Sequence, residues 1–256
     1  MIHPTAIIEP GARLAANVSV GAYALVGPQV EVGEGSWIGP HVILEGRTRI
    51  GRNNRIWQFC SIGAIPQDKK YAGEDTAVEI GDGNTFREFV TVNRGTAGDA
   101  GVTRIGDDNW IMAYVHFAHD CQVGSHTIFA NYTGLAGHVR VGDWAILGGA
   151  TIAHQFVRVG AHSFTGMCTL LDRDLPPYVG AAGNRAQPYG INTFGLRRRG
   201  FPQPTLDALK RAYKTIYRSG LGQEEILREL EAQARDCAEV RPLIDFLASS
   251  KRGIVR

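Results

Sequence analysis

The sequence predicts a mainly β fold: a parallel β-helix of hexapeptide repeats closed by a C-terminal α-helical cap. Three observations carry this reading. An aliphatic residue returns every six positions, glycine is abundant at 32 of 256 residues, and the period becomes helical after residue 200. A hexad is too short for a helical repeat and has the wrong period for an amphipathic strand, but it suits one flat side of a triangular coil.

The first run of hexads comprises Ile2, Ile8, Leu14, Val20, Val26, Val32, Ile38, Leu44, Ile50, Ile56 and Ile62. The register resumes at Ile80, Phe86 and Val92, and again from Ile105 through Phe117, Phe129, Leu135 and Leu147 to Leu171. Each of these side chains is expected to point to the prism axis, with the small residue two before it (Val18, Ala24, Val30, Cys60, Cys121) also inward. Gly21, Gly27, Gly33, Gly39, Gly51 and Gly63 follow the aliphatic positions, where a sharp turn favours a residue that tolerates positive φ. Three hexads close a coil, so residues eighteen apart should stack at a strand spacing of ~4.8 Å. The two breaks, around 64–79 and 93–104, are polar excursions, and such loops carry function more often than regular coils do.

Beyond residue 200, Leu206, Leu209, Ala212, Tyr213 and Ile216 share one helical face, as do Ile226, Leu230 and Ala234, then Leu243, Phe246 and Leu247. Gly220 separates the first two helices. The domain division is therefore a β-helix over 1–190 and a helical domain over 191–256.

Composition excludes several classes. Hydrophobic residues at 44% and charged residues at 20% exclude a disordered chain, and no apolar run nears the ~18 residues of a membrane span. The start of the chain lacks a basic segment followed by an apolar one, which predicts a cytoplasmic address. Cys60, Cys121, Cys168 and Cys237 form no CxxC pair and read as reduced core thiols. A net charge of +2 and the lack of aromatics among the basic residues argue against nucleic acid.

Chemistry concentrates in the histidines. His119 plus eighteen is Gly137, and His138 minus eighteen is Asp120. A histidine, a carboxylate and a flexible backbone N–H therefore meet on adjacent coils, as acyl transfer requires of a base, an orienting group and an oxyanion donor. A zinc site is the rival. It is disfavoured because His116 and His119 are an odd number apart and no carboxylate or thiolate completes a tetrahedron. Gln67, Asp68, Lys69, Lys70 and Tyr71 in the first excursion could bind hydroxyls and phosphates, or form a plain solvated loop. Arg197, Arg198 and Arg199, with Lys210, Arg211 and Lys214, make a basic patch that would dock a phosphate or an acidic carrier, or pair with the acidic helix that follows.

Longer strings then decide the class: IGAIPQDKKYAGE, VHFAHDC, LAGHVRVGD, IAHQF, LPPYVGAAGN, GLRRRGF and YKTIYRSG. Together they resemble the UDP-N-acetylglucosamine O-acyltransferases of bacterial lipid A biosynthesis, almost end to end. The resemblance implies a left-handed parallel β-helix, a homotrimer with sites between prisms, and transfer of a 3-hydroxyacyl chain from acyl carrier protein to the sugar 3-position. It implies that His119 is the general base, that Asp120 orients it, and that Gly137 supplies the oxyanion N–H. Gln67, Asp68, His116, His138, His154 and Gln155 would then contact sugar and diphosphate, while Lys70 and Arg198 would meet phosphate or phosphopantetheine. No metal and no resident cofactor is implied, since phosphopantetheine arrives on the carrier protein. Phe194 stands where relatives often carry an acid, which puts the uracil or ribose contacts there in question.

Met167 falls where short-chain members of the family carry methionine and long-chain members glycine. With Phe164 it predicts a groove that ends early and selects 3-hydroxydecanoyl, unless Met167 is filler between coils. A coenzyme A dependent sugar acetyltransferase and a non-enzymatic scaffold are the alternatives. The N-acyltransferase acting later in the same pathway would need a further N-terminal domain, and hexads begin at Ile2. Whether the acceptor carries a 3-hydroxyl or a 3-amino group stays open, because the same base serves both.

Overall fold

A computed structural model describes all residues, Met1–Arg256. Short parallel strands form three faces of a prism: nine strands starting at Ile7–Ile8 (face 1), eight starting at Arg13–Leu14 (face 2) and ten starting at Ser19–Val20 (face 3). The predicted aliphatic column is the core. Ile38, Leu44, Ile56, Ile62, Phe86, Phe117, Phe129, Leu135 and Leu147 are fully buried, with Ala24, Val30, Cys60 and Cys121 beside them. Burial of this unbroken stack supplies the stabilisation, at about 25 cal/mol per Å² of apolar surface removed from water.

The eighteen-residue ladder holds wherever no excursion intervenes, as in His116↔Gly134 and Arg140↔Arg158. Across the excursions it lengthens: Arg55 pairs with Thr85, thirty residues on, and Thr91 with His116, twenty-five on. The extruded segments are shorter than the sequence suggests. Ala77–Ile80 and Val102–Ile105 already run in face 2.

The role assigned to the glycines needs correction. Of the six named, only Gly63 has positive φ. The others are glycine because the next coil is too close: a Cβ on Gly21 would lie 2.6 Å from the Pro40 nitrogen, and one on Gly33 2.7 Å from Gly51. Positive φ falls instead at the corners, on Tyr23, His41, Phe59, Phe89, Tyr114 and Tyr132 between faces 3 and 1, and on Asp120, His138 and Phe156 between faces 1 and 2. Left-handed backbone costs an L-residue roughly 1–2 kcal/mol. Stacking offsets part of it: the rings of Tyr23, His41, Phe59, Phe89, Tyr114 and Tyr132 form a continuous pile with centroids 4.8–5.3 Å apart.

The three faces differ outside. Face 3 shows Trp37, Trp110, Ile128, Ile146 and Phe164, and face 1 shows Ile7, Leu25, Ile43, Ile152 and Leu170. Face 2 is a charged ladder in which Arg13 pairs with Glu31 and Arg104 with Glu79.

The prism ends in an antiparallel hairpin, Val179–Ala182 with Gln187–Ile191, which the hexad pattern does not reveal. Helices follow at Thr193–Arg198 (α1), Gln203–Arg218 (α2), Gln223–Asp236 (α3) and Arg241–Ser249 (α4). Leu206, Leu209, Ile216, Ile226, Leu230, Leu243 and Leu247 share a second core. The tail returns to the prism, where Val255 N–H donates to the Asp174 carbonyl (2.9 Å). Cys60 and Cys121 are core thiols, pushed up to about 12 by burial, whereas Cys168 is exposed and Cys237 half-buried, contrary to a uniform core reading.

Register at the corner between faces 2 and 3 is set by a buried amide ladder. Asn84 donates to Asn54 Oδ1 (3.0 Å) and to the Gly106 carbonyl (2.9 Å), and accepts from the Asn109 side chain (2.9 Å). Asn84→Ala leaves several of these groups buried and unpaired, at about 1–3 kcal/mol each. Thermal unfolding followed by circular dichroism should show Tm lower by roughly 5–10 °C. An unchanged Tm would remove the ladder from the account of register.

Candidate active site

Face 1 delivers His116–Phe117, and the chain then turns into face 2 through Ala118, His119 and Asp120. Asp120 sits at the corner with φ 59° and is fully buried. Its carboxylate is nevertheless well served. Oδ2 accepts from Thr96 Oγ1 (2.6 Å), Thr96 N–H (3.0 Å) and His119 Nδ1 (2.9 Å), while the Asp120 N–H donates to Thr103 Oγ1 (2.9 Å). Thr96 belongs to the second excursion, so that loop folds back to hold the carboxylate that holds His119.

With Nδ1 engaged, the His119 ring presents Nε2 toward Gly137. A Cβ at Gly137 would lie 2.5 Å from Nε2 and 2.5 Å from Cε1, so only glycine leaves room for the ring. The Gly137 N–H has no protein acceptor, whereas its neighbour His138 donates to the His119 carbonyl (3.0 Å). A nitrogen able to take a proton and a free amide N–H thus share one corner.

His138 stands edge-on to His119, with centroids 4.9 Å apart at 88°, and stacks on Phe156 at 4.3 Å. Its Nδ1 lies 2.9 Å from Asp99 Oδ2, a second anchor from the 94–101 loop. His116 Nδ1 meets Thr91 Oγ1 at 2.7 Å, and burial, with the His119 charge second, lowers its pKa. Exposed His154 accepts from Arg252 Nη2 at 3.1 Å, and Gln155 beside it is exposed.

The reason given against a metal is corrected here. A carboxylate does join the histidines: ligand atoms of His119, Asp120 and His138 lie within 4.8 Å of one another. The geometry is that of hydrogen-bonded pairs, since Asp120 Oδ2 already has three donors and each Nδ1 faces its own carboxylate.

Other expected site residues lie apart. Gln67, Asp68 and Lys70 are on the 65–76 loop, where Asp68 Oδ1 accepts from Lys70 N–H (3.0 Å), and none of that loop's hydrogen bonds reaches the histidines. Arg198 is exposed, with its guanidinium 5.6 Å from the Phe194 ring. Both line a cavity of about 670 Å³ on face 3 with Ile128, Ile146, Phe164 and Asn192. Arg199 is a staple, donating to the Trp144 carbonyl (2.9 Å). Met167 is 77% exposed at the edge between faces 3 and 1, so it is not filler between coils. On α2, Lys210, Lys214 and Arg218 flank a further depression beside Tyr213, and no ion pair joins α2 to the acidic α3.

Comparison with known proteins identifies the family. The chain is 55% identical to the acyl-(acyl carrier protein)-UDP-N-acetylglucosamine O-acyltransferase of Herminiimonas arsenicoxydans, over 100% of this chain and 99% of that protein. It is 56% identical to the protein of the same name from Thiobacillus denitrificans, again over 100% and 99%. The chain belongs to the UDP-N-acetylglucosamine O-acyltransferase family. The profile of that family's second domain matches residues 174–255, and bacterial transferase hexapeptide repeats match 29–64 and 103–137. Two solved members agree in fold. The UDP-N-acetylglucosamine O-acyltransferase of Moraxella catarrhalis has a TM-score of 0.97 at 45% identity, covering 100% of this chain and 99% of that one. The UDP-N-acetylglucosamine acyltransferase of Francisella novicida has 0.98 at 40%, covering 100% of this chain and 94% of that one. As in the family, the coil is left-handed.

The geometry of the corner exposes what sequence reading missed. Thr96 and Asp99 belong to the corner, yet they lie in a loop with no period, and no spacing rule could bring them there. Thr96→Val keeps the backbone donor and deletes the 2.6 Å hydroxyl bond to Asp120. Loss of a hydrogen bond to a charged group costs about 1.5–3 kcal/mol, so kcat for acyl transfer should fall roughly 10- to 100-fold, with Thr96→Ser restoring it. Steady-state rates with a thermal melt decide this. Equal rates for the valine and wild-type proteins would show that Thr96 plays no part.

Proposed function

We propose that the protein transfers a (R)-3-hydroxyacyl group from acyl carrier protein to the 3-hydroxyl of UDP-N-acetylglucosamine, the opening step of lipid A biosynthesis, with His119 as general base. One observation carries the chemistry: a buried histidine fixed through Nδ1 by Asp120, with its Nε2 side open beside the free N–H of Gly137. His119 Nε2 takes the proton as the sugar oxygen attacks the thioester carbon. The oxygen that becomes negative receives the Gly137 N–H. Collapse breaks the carbon–sulfur bond, and the imidazolium returns its proton to the departing phosphopantetheine thiolate. No resident cofactor or metal enters these steps. The reading places the protein in the cytoplasm, and no helix is long and apolar enough to cross a membrane.

The protein acts as a homotrimer in this reading. Faces 3 and 1 carry the exposed apolar side chains and share the edge with the aromatic pile, while face 2 is charged. Three prisms with that shared edge on the axis bury face 3 of each against face 1 of the next. The His119 corner of one chain then faces the Phe164, Asn192 and Arg198 cavity of its neighbour, and the 65–76 loop can contribute Gln67, Asp68 and Lys70 to the same cleft. His138, His154 and Gln155 line its outer mouth for the acceptor. The basic face of α2 suits the acidic carrier protein.

Met167, exposed at the inner edge, sets chain length. Each buried methylene contributes ~0.8 kcal/mol where there is room, and a side chain in the groove replaces that gain with a clash of ~1 to 3 kcal/mol. The favoured donor is 3-hydroxydecanoyl.

His119→Ala should lower turnover with acyl carrier protein and UDP-N-acetylglucosamine about 10²- to 10⁴-fold while the circular dichroism spectrum stays native. A near wild-type rate at neutral pH would contradict the assignment, and equal use of acetyl coenzyme A would move the protein to another acyltransferase class. For Met167, 3-hydroxydecanoyl and 3-hydroxymyristoyl donors compete in one reaction. Wild type should favour the shorter chain and Met167→Gly should shift toward the longer; an unshifted ratio removes Met167 as the ruler.

A further inference from the structure

Face 2 has a second concave site, of about 720 Å³, that begins at His138 and Phe156 and runs past Arg140 and Arg158 to α4 and the tail residues Lys251 and Arg252. Its charge pattern departs from the rest of the face. Lower on the ladder, arginines and glutamates pair, as in Arg13 with Glu31 and Arg104 with Glu79. Here Arg140 and Arg158 are direct cross-strand partners, so two like charges stack one coil apart. Such a pair is destabilising unless something anionic lies between or beside it.

No carboxylate of the chain meets that need. None of Arg140, Arg158, Lys251 and Arg252 has an ion-pair partner in the chain. The two acids in the walls are committed elsewhere. Asp174 is buried and accepts from Arg158 N–H (2.9 Å) and Ser250 Oγ (2.8 Å), and Asp99 is held by His138. Arg158 is also held in place, donating to Ser249 Oγ (3.0 Å) with its guanidinium 4.3 Å from the Phe246 ring. Arg140 and Lys251 are exposed and make no side-chain hydrogen bond.

We propose that this pocket binds the phosphate of the phosphopantetheine arm and so guides the donor thioester to Gly137. The inference deepens the reading of the activity given above and rests on it. Placement supports the donor rather than the acceptor. Arg140 follows Gly137 by three residues, about 10 Å along the extended chain, and Arg158 lies one coil above it, so the cations stand back from the corner where the thioester reacts, as the long pantetheine chain between thioester and phosphate requires. Face 2 points away from the trimer axis, which leaves the pocket open to a carrier arriving from solvent. Phe156, Val159 and Pro177 in the walls offer apolar surface to the arm behind the phosphate.

The test is a cycle between a phosphate on the donor and cations on the enzyme. The donors are a 3-hydroxyacyl thioester of 4′-phosphopantetheine and the same thioester of pantetheine; the enzymes are wild type and Arg140→Gln with Lys251→Gln. In wild type the phosphorylated donor should show kcat/KM higher on the order of tenfold, and the variant should lose most of that preference, with KM for UDP-N-acetylglucosamine unchanged. A preference that survives in the variant, or is absent from wild type, overturns the proposal. A change confined to KM for the nucleotide sugar makes the pocket an acceptor site and overturns it too. Where both short donors react, an effect of the variant confined to acyl carrier protein makes the pocket a protein-docking surface, against the proposal. Calorimetry with 4′-phosphopantetheine alone separates the two readings: binding by wild type but not by the variant supports the pocket even if neither donor reacts, and equal binding or none contradicts it.

Discussion

The fixed spacing between coils governs this molecule. Each coil lies one parallel-strand spacing above the last, which allows no Cβ at Gly21 or Gly33 and drives the turn residues into left-handed backbone. The same closeness builds the site. His119 fits its corner only because the residue one coil above is Gly137, and the turn that frees the Gly137 N–H also aims the His138 N–H at the His119 carbonyl. Packing constraint and the geometry of the candidate site are one arrangement, read at a corner instead of at the axis.

That constraint explains which features were legible in the sequence. A side chain on the axis must be aliphatic or aromatic and recurs at a fixed interval, so Ile38, Leu44 and Phe117 announced themselves. Constant rise turned spacing into contact, and the His119, Asp120, Gly137 and His138 cluster followed from counting by eighteen. The glycines were read correctly as constrained but for the wrong reason, because close approach and positive φ both select glycine. Spacing failed where the chain leaves the prism. Thr96 and Asp99 reach the corner by loop folding, the hairpin at Val179–Ile191 has no hexad, and α1 is too short at six residues to show a helical period.

Charge is divided among the faces as sharply as shape. Apolar and aromatic side chains cover faces 3 and 1 and their common edge, whereas face 2 carries the arginine and glutamate ladder. A single prism leaves large apolar side chains exposed on faces 3 and 1, and the His119 corner lies between faces 1 and 2 while the cavity of Phe164, Asn192 and Arg198 lies on face 3. The proposed trimer resolves both, with the His119 corner on one side of each cleft and the Phe164, Asn192 and Arg198 cavity on the other.

The central claim is that each reactive site joins the His119 corner of one chain to the cavity of the next. Mixed oligomers test it most directly. His119→Ala and the double variant Asn192→Ala, Arg198→Ala should each be strongly impaired alone. When the two are dissociated, mixed and reassembled, about a quarter of the clefts should combine an intact corner with an intact cavity, and a matching share of the wild-type rate should return. A mixture no more active than its parents would place the whole site within one chain and contradict the account.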